Sequence, residues 1–177
     1  MIDPRVKNVG GVAAALILMI GWWLWFRAPA VQTQRVFVRL SAAAEKGDPG
    51  GVLGCIHRDY DFAKHWPQFF TSDAAEGQRA EALRLLWMLF TIQRENPFVI
   101  TWRIDDLDVS AGDPVVVHAT LSIATRSGQT PFGLGQRLER HRFVLQRKGG
   151  FLTAAYAIVG HDLIGLDRPA EVDQAGE

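Results

Sequence analysis

The chain has 177 residues, its 19 basic side chains are balanced by 19 acidic ones, and 48% of it is hydrophobic. That neutral balance, with the basic residues scattered, excludes a nucleic-acid footprint, and the length suits one ordinary domain plus short extensions. The single cysteine, Cys55, excludes an internal disulfide, so the fold must rest on its packed core.

Residues 1–8 form a short tail carrying Arg5 and Lys7. Residues 9–26, VGGVAAALILMIGWWLWF, contain no charge. At 1.5 Å per residue this run makes about 27 Å of helix, close to a hydrocarbon core of about 30 Å. Leu16, Ile17, Leu18 and Ile20 form its most apolar part. Trp22, Trp23 and Trp25 crowd the end, where indole rings suit the headgroup level, and Arg27 closes the segment with a charge that can snorkel. Residues 9–27 are therefore expected to be a transmembrane helix in a lipid bilayer.

Two readings compete. A cleaved signal peptide would use Ala28-Pro29-Ala30 as its A-x-A-like site, but the run exceeds the roughly 7–15 residues of a signal core. A buried core helix fits poorly, because the segment is apolar on all sides. The basic tail favours a single-pass inner-membrane protein with its domain on the periplasmic side. The count of Arg27, Arg35, Arg39 and Lys46 after the span points the other way, but three of these belong to a folded helix.

Residues 28–33 read as a juxtamembrane linker. From Gln34, Val36, Phe37, Leu40, Ala43 and Ala44 recur at helical spacing, up to a Gly47 C-cap. Asp48-Pro49 starts a second, short helix, with Asp48 as N-cap and Val52, Leu53 and Ile56 as its buried face. Residues 57–62 read as irregular or extended, and His65-Trp66-Pro67 breaks any helix there. Ser72 or Asp73 is expected to cap a third helix running to about Arg94, with Ala82, Leu85, Leu86, Leu89, Phe90 and Gln93 as its stripe. Its run LRLLWMLFTI is more apolar than one stripe requires, so Leu83, Trp87 and Phe90 are expected to face a protein partner or a second copy.

After Pro97 the period becomes two. Residues 98–109 read as a strand with Ile100, Trp102 and Ile104 on one face. Residues 115–125 form the clearest strand, with Val115, Val117, Ala119, Leu121 and Ile123 inward. A Gly/Pro loop covers 128–135, and 138–147 and 151–159 form a hairpin around Gly149-Gly150. Residues 163–177 carry four acids and few large apolar groups, and read as a disordered tail.

Three helices followed by antiparallel strands predict an α+β domain over residues 34–162, with helices packed on one face of a curved sheet. Ala43-Ala44-Glu45-Lys46-Gly47-Asp48, the short helix and Ile56-His57-Arg58-Asp59-Tyr60-Asp61 resemble the opening of the nuclear transport factor two-like superfamily. The likeness is to its bacterial SnoaL-like and ketosteroid-isomerase-like branches, and it covers residues 34–161. It implies a helical half-cone closed by a bent sheet, with any site at the open end of the cone. The superfamily holds isomerases, dehydratases, cyclases and hydrolases beside many non-catalytic domains, so the likeness leaves the activity open.

Asp59 and Asp61, two apart with His57 beside them, make the best acid–base constellation, suited to proton abstraction next to a carbonyl or to dehydration. His118 would join them if it points into the cone. The bland alternative makes the aspartates turn caps and the histidines structural. Tyr60, Trp66, Trp87 and Thr120 are candidates to line a small-molecule site. Cys55, His57 and His65 match no standard zinc spacing, and Gly133-x-Gly135 lacks the rest of a dinucleotide fingerprint, so no metal and no cofactor is expected. The leading expectation is a non-catalytic, membrane-anchored accessory or assembly domain that docks proteins. The alternative is a ligand binder or an isomerase, dehydratase or hydrolase using the Asp/His pair. A chaperone-like or lipid-binding module is a third.

Overall fold

The computed structural model describes residues 4–72, 74–110, 113–128, 138–149 and 155–167, with side chains from Ala14 to Gly165 within those ranges. Its order is α1 (Pro4–Phe26), α2 (Pro29–Lys46), α3 (Pro49–Gly54), α4 (Phe62–His65), α5 (Ala75–Ile92), β1 (Phe98–Asp108), β2 (Val115–Thr125), β3 (Leu138–Lys148) and β4 (Ala155–Asp167). The strands form one antiparallel sheet in the order β1-β2-β3-β4, with helices packed on it, so the fold is α+β.

The alternation in β2 decides which face is core. Val115, Val117, Ala119 and Leu121 are buried, while Ile123 has rotated out of the core and is 46% exposed. Phe37 of α2 seats on this face between the rings of Trp102 and Phe143, at 5.5 and 5.1 Å. Leu145, Tyr156 and Ile158 continue the same core.

The helix signals worked where a cap is chemical. Gly47 takes a left-handed conformation at φ +64, and its N–H reaches the carbonyls of Ala43 and Ala44. Asp48 accepts from the Gly51 N–H at 2.9 Å with Pro49 as the first helical residue. Other expectations need correcting. The expected linker 28–33 is helical: α2 starts at Pro29, and only Arg27 and Ala28 separate it from α1. The stretch read as irregular is followed by the short α4, not foreseen, which is capped by the Asp61 carboxylate on the Lys64 N–H at 3.0 Å and ends at His65, where the break was expected. Ser72 does not cap α5, whose N-cap is Ala74, and Asp73 lies outside the described residues. Residues 163–167, expected in the tail, complete β4; the rest of the tail lies outside the described residues, as does most of the expected 128–135 loop with Gly133 and Gly135.

Side chains of α5 fasten the preceding loops. The Gln78 amide oxygen, buried, accepts from the Phe62 N–H at 2.9 Å. The Arg79 guanidinium donates to the Leu53 carbonyl at 2.7 Å and the Ile56 carbonyl at 3.4 Å. Ala82, Leu85 and Leu86 pack on the core, and Phe90 sits 6.1 Å from Phe98 rather than facing outward as expected. Leu83, Trp87, Met88 and Ile92 make up the exposed apolar stripe.

Among the described residues no single helix is long and apolar enough to cross a membrane; Ala14–Phe26 and Pro29–Lys46 meet that test only as a pair bent by 59°. The second member buries Gln32, Thr33, Val36 and Phe37 in the domain. On α1, by contrast, Leu16, Ile17, Leu18, Met19, Ile20, Trp22, Leu24 and Trp25 are all exposed.

Candidate functional site

Of the sequence-predicted acid–base group the structure brings together only His57 and Asp59. The His57 N–H donates to the Ile158 carbonyl at 2.7 Å, beside the Ile56–Ile158 bridge that lays this segment along β4. Its ring Nδ1 accepts from the Asp59 N–H at 3.3 Å and lies 3.5 Å from the Asp59 carboxylate. That carboxylate is 63% exposed and also meets Arg58, on the rim of a surface cleft of about 450 Å³ with Arg147 and Lys148. Asp61 is spent on the α4 cap. His118 lies on β2 with its ring 3.7 Å from Asp106 of β1, its strand neighbour. Thr120 is buried and donates to Asp105 at 2.6 Å; this bond, more than the adjoining Arg103, holds the Asp105 carboxyl below its usual range. Trp87 is 60% exposed on α5 and lines neither the cleft beside Asp59 nor the groove between α1 and α2.

Tyr60 and Trp66 do meet, in a cluster that draws three histidines together. The backbone turn at His57–Tyr60 points the Tyr60 ring inward, and α4 carries His65 and Trp66 over the same spot. From below, β3 presents His141 and Phe143 on its inward face, and the register pairs Phe143 with His161 of β4. The His161 ring lies 4.9 Å from His65, 5.1 Å from Trp66, 5.5 Å from His141 and 5.9 Å from Phe143. Phe62 closes one side, 4.8 Å from Tyr60.

Burial sets the protonation states here. Desolvation first, then repulsion from His65 and His141, push His161 down to about 4, against a weaker pull from Asp162. Desolvation likewise lowers His65. Tyr60 is raised well above the ordinary phenol range by burial, then by Asp162 and Asp61. At neutral pH the tyrosine therefore keeps its proton and donates it, at 2.9 Å, to Nδ1 of an uncharged His161. His141 is buried, with Nε2 on Glu139 at 3.1 Å and Nδ1 without a partner among the described residues. An imidazole held neutral this strongly does not serve as a general acid near pH 7. The rings fill the space between α4 and the sheet, so the cluster acts as a latch.

Sequence reasoning missed His141 and His161. The first lies between two arginines, Arg140 and Arg142, and the second lay beyond the expected end of its strand. The alternation His141, Phe143, Leu145 was the available signal. Among the described residues no three His, Cys, Asp or Glu side chains are placed to hold a metal ion, and Cys55, its thiol raised by burial, sits under α3 within 3.5 Å of the Gly51 carbonyl.

No family model and no curated protein matches the chain. Among solved structures it is similar to a protein assigned as a calcium/calmodulin dependent protein kinase II association domain, from Xanthomonas campestris. Identity is 19%, the match covers 77% of this chain and 86% of that one, and the TM-score is 0.44. A likeness at that level decides neither family nor function.

Proposed function

We propose that the protein is a single-pass, membrane-anchored, non-catalytic domain of the nuclear transport factor two-like type, which docks a partner protein or a second copy at the bilayer surface. The observation that carries this reading is α1. From Ala14 to Phe26 its side chains are apolar and, Trp23 apart, exposed. An amphipathic surface helix would show one polar face, and a core helix would be buried. By length alone its 23 residues, roughly 34 Å of helix, match a hydrocarbon core of about 30 Å. The Leu83, Trp87, Met88 and Ile92 stripe on α5 supports a docking role, since this many large apolar groups on one helix face exceed an ordinary solvated surface.

The small-molecule alternative is the weaker one, because Asp59 and Asp61 face solvent and His118 pairs elsewhere. We assign the domain to the periplasmic side of the inner membrane, following the short basic tail; a reporter fused after Glu177 tests that assignment. The full chain should stay in the membrane fraction through an alkaline carbonate wash and leave mild detergent as a dimer or with a partner. Release by carbonate overturns the anchor, and a clean monomer with nothing bound overturns docking.

A further inference from the structure

The elbow between α1 and α2 holds a groove of about 460 Å³ lined by Trp25, Val31, Gln34, Arg35, Val38 and Arg39. Its chemistry is split. Trp25 and Val38 are both about half exposed and, with Val31, give it an apolar wall. The guanidinium groups of Arg35 and Arg39 and the Gln34 amide give it a cationic, hydrogen-bonding one. Arg35 lies over the Phe26 ring at 3.8 Å, so its charge is held at the last residue of α1, and Arg27 lies over Trp23 at 4.4 Å. The sequence contains no Asp or Glu between Asp3 and Glu45. Among the described residues the arginines that pair with carboxylates are Arg58, Arg103, Arg126 and Arg142; Arg35 and Arg39 are not in that set. A cationic groove without a counter-charge, one wall of which is indole and valine, is built for an anion attached to something apolar.

We propose that this groove binds the phosphate-bearing headgroup of an anionic lipid. The proposal rests on α1 being the anchor: with α1 in the bilayer, Trp22, Trp23 and Trp25 sit at the headgroup level and the elbow opens at the depth of the lipid phosphates. Guanidinium forks match phosphate oxygens in pairs, Gln34 offers a further donor, and the Trp25–Val38 wall takes the glycerol and first methylenes. A free phosphate shares the first contact but not the second.

The test uses the full chain and an Arg35→Gln/Arg39→Gln variant, reconstituted into vesicles of phosphatidylcholine alone and of phosphatidylcholine with phosphatidylglycerol. Carbonate-resistant insertion is read first. Lipid retained on the protein extracted into mild detergent is then measured by mass spectrometry, with inorganic phosphate as a separate arm. Both chains should insert in both vesicles, and the natural chain should retain phosphatidylglycerol over phosphatidylcholine. At roughly 1 kcal/mol per basic residue near an anionic surface, removing both arginines should lower that preference about 30-fold. Equal retention by chain and variant overturns the groove. Inorganic phosphate competing as well as the lipid overturns the lipid assignment. Failure of the natural chain to insert overturns the anchor and, with it, the groove's place at the bilayer.

Discussion

Acidification should loosen the latch around His161, and the magnitude follows from its environment. In the unfolded chain this imidazole titrates near 6.5; folded, burial and the neighbouring His65 and His141 bring it to about 4. The folded state thus binds fewer protons across that interval. Stability contributed by the neutral ring is fully present above pH 6.5 and is lost as pH falls towards 4, with His65 adding in the same direction. The separation corresponds to roughly 3 kcal/mol at 1.36 kcal/mol per pH unit, and partial exposure of the ring brings the expected loss to about 2 kcal/mol. Protonation also sets Nδ1 against the Tyr60 O–H, which then loses its acceptor. The assay is urea unfolding of the full chain in mild detergent at steps from pH 7.5 to 4, natural chain against His161→Phe. Phenylalanine keeps the ring stack and removes the titration, so the variant's stability should fall about 2 kcal/mol less across the interval. Parallel losses in the two chains refute the reasoning, as does a His161 ring that titrates near 6.5 by NMR.

Gln78→Leu strands the Phe62 N–H in the interior and should cost about 1–3 kcal/mol in thermal unfolding, loosening α4 first. Gly47→Ala must hold a side chain at φ +64 and should cost about 1 kcal/mol, whereas Gly54→Ala, with nothing within 4 Å of the added carbon and no positive φ, should be neutral or slightly stabilising. The contrast, read in one set of melts, checks the cap and not the loss of glycine as such. Asp59→Asn should leave stability within about 0.5 kcal/mol, because the carboxylate is mostly solvated; a larger loss would show the His57–Asp59 contact to be more than a surface pair.

How much of this was legible depends on how local each cause is. β2 could be read because its inward side chains alternate without interruption, and α3 because Asp48-Pro49 is a cap written in two residues. The start of α2 was hidden by an ambiguity in Pro29: proline stops one helix and opens the next with the same fixed φ. β4 was cut short because Gly160, His161, Asp162 and Gly165 break its apolar alternation, while irregular pairing at Arg140/His141 and Val144/Leu145 shifts which residues face the core. The latch was out of reach for the same reason. Tyr60 and His161 lie 101 residues apart, and only the β3–β4 register brings them together.

The joint between α1 and α2 bears on what α1 would do as an anchor. A flexible linker would leave the domain free to tumble beside its helix, and residues 28–33 were expected to be a short juxtamembrane link. Instead α2 begins two residues after α1 ends, and Gln32, buried in the domain, donates from its side-chain amide to the Phe26 carbonyl at the end of α1. Thr33, Val36 and Phe37 follow it into the core within the next turn and a half. The last carbonyl of the apolar helix, that of Phe26, is therefore satisfied by the domain itself, a C-terminal cap supplied from the next helix. Turning the domain about this joint means breaking that bond and withdrawing the start of α2 from the core. If α1 lies in the bilayer, the elbow and the exposed α5 stripe are presented at a fixed angle to it, and a partner meets one orientation of the surface. Inserting Gly-Ser-Gly between Ala28 and Pro29 should then leave membrane retention intact and weaken docking; unchanged docking would show that orientation plays no part.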